Sequence, residues 1–598
     1  MSIELARPEI VGSFGSVAST HWLASQCGMS VLERGGNAFD AAVAAGLVLQ
    51  VVEPHLNGLG GEVPILGWLA SDEDPFVLCG QGPAPADASI AAFAELGLEH
   101  VPGTGLLAAC VPGAWGAWMT LLRDHGTWRL ADVLAYPLAY AEGGFPVLPG
   151  IVTALAGCEE HFARHWPSSF AQWLPDGSLP RAGATMRNPA LAATYRLLLA
   201  GSGPRGRGRE GEIDAAIRAF YQGPVAEAIH DFCAHEEVLD SSGRRHRGLL
   251  AADDLAGWTA RYESPVSTGY RGRQVFKPGA WTQGPVMLQQ LAILEGFELD
   301  ECDPAGARFV HLVAEAAKLA FADREFYYGD PDLVDVPLAA LLAPEYADRR
   351  RAQIDPDLAY RGPLRPGVVP SGLRPASLPG AATVGVGVGL APGVGEPTHQ
   401  RPDGSRGDTC HLDVCDRWGN LVSATPSGGW FQSSPTLPGW GFALGTRAQM
   451  FWLDPEHPNA LASSKRPRTT LTATMVRDDG RRLAFGTPGG DTQDQCSVQF
   501  LLRHLHGGLG MQQAIESPAF FSEDFPSSFF PRERHEGRLV LEGRFSPDTV
   551  DELRGAGHDV LTVDGWAIGR LSAVSRTEDG AIRAAANPRG AQGYAVGR

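Results

Sequence analysis

A threonine becomes an effective nucleophile when it begins a chain. The free α-amine, with an ordinary pKa of about 7.7–8.0, then lies beside the hydroxyl and can take its proton. Thr409 stands where such a chain start would be made. It follows Gly407-Asp408, the end of an irregular Pro/Gly-rich stretch over 363–407 that includes Gly385-Val-Gly-Val-Gly389 and Gly393-Val-Gly395. Strand chemistry begins at once after it, because Leu412 and Val414 alternate with His411 and Asp413. Alone on a strand, a threonine is an ordinary β-former. At this junction it is what a self-cutting enzyme requires: the hydroxyl attacks the Asp408 carbonyl, and the freed amine becomes the general base.

A second hydroxyl comes from the return strand. Asp416-Arg-Trp-Gly-Asn420 reads as a turn and Leu421-Val-Ser-Ala-Thr425 as its continuation. With a five-residue loop over 416–420, Cys415 faces Leu421 and Thr409 faces Ser427. A two-residue turn at Trp418-Gly419 would instead put Gly428 opposite Thr409.

Other elements must carry this hairpin. The run from Val31 to Val52 is apolar almost all round and predicts one buried helix, stopped at Glu53-Pro54. Asn57-Gly-Leu-Gly-Gly61 reads as a tight turn whose glycines permit close backbone approach; neither G-x-G-x-x-G nor a Walker lysine accompanies it. Phe309, Leu312, Val313, Ala316, Leu319 and Ala320 predict a helix from about Gly306 to Tyr328 that covers a sheet with one face. Gly201 to Gly211, with Arg205, Arg207 and Arg209 separated by glycines, reads as a flexible basic surface loop.

The 598 residues, with 44% hydrophobic and 20% charged content, suit a large globular protein and exclude dominant disorder. A net charge of −19 repels nucleic acid and anionic lipid, so neither is an expected partner. No run of about 18 apolar residues and no basic leader followed by an apolar stretch appears, which predicts a cytoplasmic protein without a membrane span. Nine cysteines without a CxxC pair read as reduced, mostly buried thiols. His230, Cys233 and His235 lack a fourth ligand and read as an ordinary helix surface, so no metal or cofactor is expected.

Several segments, in order, resemble the γ-glutamyltranspeptidase family. They are Ser19-Thr-His-Trp-Leu-Ala-Ser25, Leu32-Glu-Arg-Gly-Gly-Asn-Ala-Phe-Asp-Ala-Ala-Val43, Val52-Glu-Pro-His55, Gly58-Leu-Gly-Gly61, Val111-Pro-Gly113, Ala141-Glu-Gly-Gly-Phe-Pro-Val147, Lys318-Leu-Ala-Phe-Ala-Asp-Arg324, Gly329-Asp-Pro331, Gly407-Asp-Thr-Cys-His-Leu412, Lys465-Arg-Pro467 and Gly486-Thr-Pro-Gly-Gly490. The resemblance implies an α+β fold, the four-layer αββα sandwich of N-terminal-nucleophile hydrolases, with an extra helical portion. It implies a precursor cut between Asp408 and Thr409 into a large chain (1–408) and a small chain (409–598) that stay together as one intertwined unit. Thr409 matches the nucleophile, Thr425 and Ser427 match two downstream hydroxyl positions, and Gly489 and Gly490 match the oxyanion-hole pair.

The departures concern the substrate. Gln81 stands at or near the family's carboxylate-binding arginine. Gly429 replaces an asparagine, and Phe451 and Trp452 replace two aspartates after Gln449-Met450. Thr469 and Thr470 replace a serine pair, and Cys410 replaces a threonine. The implied reaction is hydrolysis or acyl transfer at a γ-glutamyl amide such as glutathione, with water or an amino acid or peptide as acceptor. The alternatives are an acylase acting on a glutaryl or other group without the glutamyl zwitterion, for which Phe451 and Trp452 would line the pocket, and a non-catalytic binding protein on the same fold. A serine-hydrolase reading of Ser427 lacks the G-x-S-x-G elbow.

Overall fold

The computed structural model describes residues 5–201, 203, 208–369 and 409–598. Asp408, most of the Pro/Gly-rich stretch, Arg205 and Arg207 lie outside the described residues. Two seven-stranded sheets form the centre. One runs, in spatial order, Tyr594–Gly597, Gly15–Ser19, Leu412–Asp416, Leu421–Ala424, Val63–Trp68, Phe76–Gly80 and Arg261–Glu263. The other runs Ile10–Gly12, Ile582–Ala586, Ser572–Thr577, Arg481–Gly486, Thr474–Asp478, Arg273–Lys277 and Val266–Tyr270. Neighbours in both are antiparallel.

Strand alternation makes the layers. Val17, Ile65, Leu412, Val414 and Val422 of the first sheet face outward into a core shared with the helices Trp22–Glu33, Ala38–Val52 and Ala114–His125. Val275, Val476, Leu483 and Phe485 of the second face the helices Pro285–Leu294, Ala307–Tyr327 and Gln493–Leu505. Ala18, Leu66, Trp68, Cys415, Phe276, Met475 and Val574 meet between the sheets. The result is the four-layer αββα sandwich.

Three local readings need correction. The run from Val31 to Val52 is two helices. Gly35, at φ +94°, ends the first, and Asn37 caps the second by accepting from Phe39 and Asp40 N–H while Asp40 accepts from Asn37 N–H. The helix Ala307–Tyr327 is buried nearly all round rather than on one face, because a second apolar cluster with Phe525 and Tyr346 covers its far side. Arg209 is not part of a loose loop. It opens the helix Gly208–Tyr221 and donates to the carbonyls of Arg123 and Trp128.

Likewise Cys233 is no surface residue: it is buried under Gly248 in the helix Pro224–His235. No cysteine is in a disulfide, and all but Cys302 are buried. Among the described residues no helix is long and apolar enough to cross a membrane.

Candidate active site

The hairpin closes through Asp416, whose Oδ1 accepts from the N–H groups of Trp418, Gly419 and Asn420. That five-residue loop sets the register with Cys415 opposite Leu421 and Thr409 opposite Ser427. Thr409 Oγ1 lies 3.1 Å from Ser427 Oγ, and both residues are buried. The Thr409 carbonyl accepts from Arg570 Nη2 at 3.2 Å.

The ladder continues on the same face. His411 Nδ1 is 2.9 Å from Thr425 Oγ1, which donates to the Thr472 carbonyl at 2.8 Å. Thr425 thus stands one cross-strand pair away from Thr409. His411 Nε2 lies 3.1 Å from Asp413, whose carboxylate also accepts from Ser423 and Ser572. The ring fits only because Gly486 faces it; a Cβ there would lie 2.4 Å from His411.

Cys410 points to the opposite face. Its thiol donates to Glu53, which also accepts from Thr20 and Gln592. Burial, followed by the adjacent Glu53, pushes the thiol pKa well above its ordinary value, so Cys410 remains a protonated thiol and not a rival nucleophile. Burial also raises the Glu53 carboxyl, against the pull of Arg570.

Ser427 is held from behind. Its N–H and C=O both pair with Glu62, while Arg447 Nη2 donates to Ser427 Oγ at 3.0 Å and Nε donates to Glu62 at 2.7 Å. A guanidinium only donates, so Ser427 Oγ accepts there and its own proton can turn to Thr409. The loop Asn57–Gly61 makes its close approach here: a Cβ on Gly61 would lie 2.1 Å from the Ser427 carbonyl.

Gly489 and Gly490 follow the strand Arg481–Gly486 at φ +129° and +55°. Thr492 and Gln283 donate to their carbonyls, and neither N–H bonds to a described residue. Arg324 fixes this loop through Asp491, which Ser528 also reaches with its N–H and hydroxyl. A cavity of about 30 Å³ borders Gly489, lined by Thr492, Gln495, Phe525 and Ser527, enough for a water. A cleft of about 1050 Å³ lies instead among hairpin tips such as Trp418-Gly419 and Asp479-Gly480, and no residue of the Thr409 site lines it.

The remaining sequence candidates take different places around this centre: Gly429 abuts Gly61 beside Ser427, and the Thr469 carbonyl accepts from Gln283, which also donates to Gly490. Gln81 is buried and its Nε2 donates to the carbonyl of its neighbour Gly82, directly after the strand Phe76–Gly80. Gly429 is left-handed, at φ +66°. Thr469 accepts from Leu471 N–H within its own loop, whereas Thr470 Oγ1 is buried without a hydrogen-bond partner among the described residues. Trp452 is covered by His457 and Arg532, and Phe451 packs with Ala84, Val101 and Leu107 rather than along an open pocket.

The Gamma-glutamyltranspeptidase family profile matches residues 24–597. The chain belongs to the gamma-glutamyltranspeptidase family. It is 32% identical to an oxamate amidohydrolase proenzyme of Klebsiella pneumoniae, covering 98% of this chain and 99% of the relative. It is 31% identical to a glutathione hydrolase-like YwrD proenzyme of Bacillus subtilis, over 98% and 99%. Among solved structures, LmbA2991HD superposes with a TM-score of 0.92 at 49% identity over all of both chains. A cephalosporin acylase from Bacillus halodurans gives 0.82 at 28%, over 100% and 98%. As a gamma-glutamyltranspeptidase-family member the chain is an enzyme, a proenzyme-type amide hydrolase or acyltransferase.

Sequence reasoning did not single out Arg447, Glu62, Arg570 or the His411–Asp413 pair. A signal for the last existed: polar residues at every second position of both hairpin strands, on a face that must be buried.

Proposed function

We propose that this family member hydrolyses, or transfers the acyl group of, a small-molecule amide through Thr409 after cutting its own chain between Asp408 and Thr409. The observation that carries the reading is the buried Thr409–Ser427 hydroxyl pair, backed by Arg447 and Glu62. In the cleavage step Thr409 Oγ1 adds to the Asp408 carbonyl, the C–N bond breaks to leave an ester, and water hydrolyses that ester. The new α-amine then takes the Thr409 hydroxyl proton as Oγ1 attacks the substrate carbonyl.

Gly489 and Gly490 supply the N–H donors for the oxyanion, a contribution of about 3–4 kcal/mol for each well-placed donor. Collapse expels the protonated amine and leaves a threonyl ester. Water or an amino-group acceptor then attacks that ester to complete hydrolysis or transfer. Relatives acting on oxamate, glutathione and cephalosporins share this frame. Gln81, Phe451 and Trp452 carry no charge where the resemblance places a glutamyl-zwitterion clamp, so the acyl donor is either γ-glutamyl held by other groups, such as the Arg532 guanidinium over Trp452, or an acylase-type group without the zwitterion.

The test is rapid quenching with an amide donor followed by peptide mapping. The acyl mass is expected on the peptide that begins at Thr409. Acylation of Ser427 or Cys410 in its place would refute the assignment.

A further inference from the structure

A buried group of metal-type ligands lies outside the Thr409 site, where the helix Ala307–Tyr327 meets the end of the helix Pro547–Gly555. His311 and Glu315 stand four residues apart on the first helix and so share a face. His558 follows the second helix directly. All three are buried, and one donor atom from each lies within 4.8 Å of the others. His311 and His558 are 247 residues apart in the chain, so no spacing in the sequence announces them.

Their hydrogen bonds leave lone pairs inside the group. His311 Nε2 lies 2.8 Å from the Asp355 carbonyl, which only accepts, so that nitrogen carries the proton and Nδ1 offers its lone pair. Nδ1 faces His558 Nε2 at 2.9 Å. Glu315 Oε1 is taken by Lys318 Nζ at 2.6 Å and by Tyr360 N–H at 3.3 Å. Oε2 accepts no hydrogen bond from a described residue, with Arg365 Nη2 3.8 Å away. Outer hydrogen bonds of this kind, to the far nitrogen of an imidazole and the far oxygen of a carboxylate, are what orient metal ligands.

We propose that His311 Nδ1, His558 Nε2 and Glu315 Oε2 bind a divalent transition-metal ion, Zn²⁺ by preference. Two imidazoles and a carboxylate suit zinc, with the fourth tetrahedral position left for water, whereas Mg²⁺ and Ca²⁺ call for oxygen ligands. Bonds of about 2.0–2.2 Å to zinc set neighbouring ligand atoms about 3.3 Å apart, so the facing imidazole nitrogens open by only about 0.4 Å. The His558 proton moves from Nε2 to Nδ1, which accepts no hydrogen bond from a described residue. Lys318, Arg361 and Arg365 surround the group, and Asp524 beside Lys318 offsets part of their charge, which sets the affinity nearer micromolar than nanomolar. The site also has a structural consequence. His311, Glu315 and Asp355 precede Thr409 and His558 follows it, so in a chain cut at Thr409 the ion ties the large fragment to the small one. That consequence rests on the cleavage reading; the site itself does not.

The test takes tag-free enzyme, strips it with EDTA, equilibrates it with roughly 50 μM Zn²⁺ and measures the bound metal by elemental mass spectrometry. The expected result is one zinc per chain above the level in His558→Gln. The melting temperature should rise by at least about 2 °C with zinc in the wild type and stay put in the variant. Co²⁺ in place of Zn²⁺ needs no variant: the strong visible bands of a four-coordinate ion are expected. An enzyme that takes up no more zinc than His558→Gln, or that gives only the pale spectrum of six-coordinate Co²⁺, overturns the site. The Thr409→Ala chain should load to the same level, so metal binding and cleavage are read separately. Zinc held by a wild-type chain that is never cut upholds the site and overturns the bridge between fragments.

Discussion

The layer between the two sheets has a dry end and a wet end. At the dry end Leu66, Trp68, Phe276, Met475, Ala484 and Val574 pack together, with the guanidiniums of Arg482 and Arg477 over the Trp68 and Phe276 rings at its rim, and Trp68 meets Phe276 edge to face at 5.6 Å. At the wet end Thr409, His411 and Asp413 face Ser427, Thr425 and Ser423 across the hairpin. The same strands build both. Apolar burial stabilises most of the first, whereas the second depends on polar groups paired with one another, and those partners aim the groups that react.

That contrast is open to attack from either side. Asp413→Asn turns one acceptor oxygen into a donor where Asp413 faces Ser423, Ser572 and His411. Each buried group left unsatisfied costs about 1–3 kcal/mol, so thermal unfolding should show a clear loss. The disturbed His411–Thr425 pair should also lower kcat by tenfold or more. Normal kcat in this variant would detach the ladder from catalysis.

Met475→Ala at the dry end should cost about 2–5 kcal/mol of stability through the cavity it opens, with kcat of the folded enzyme within about twofold of the parent. A large fall in kcat there would mean that the two ends are coupled through the sheets.

Legibility followed the range of the interaction. The Thr409–Ser427 pairing could be read because both lie on one hairpin whose loop is written locally in Asp416, Gly419 and Asn420. Reading Val31 to Val52 as one helix gave apolar content priority over Gly35-Gly36-Asn37, although backbone and capping chemistry decides helix ends. Arg447 and Glu62 are 385 residues apart and meet only when the turn after the hairpin folds back on the glycine loop. Nothing local announces that pair. The neighbours of Phe451, here Ala84, Val101 and Leu107, come from other parts of the chain, so its surroundings are not written in the motif that holds it.

The central claim is that Thr409 becomes a chain start. Intact mass of the purified 63.5 kDa protein, with N-terminal sequencing of any smaller fragment, tests it most directly. The account predicts a fragment beginning at Thr409 and running 190 residues to Arg598, and a Thr409→Ala chain that stays whole and inactive. An uncut chain that hydrolyses its amide, or an active Thr409→Ala protein, would contradict it.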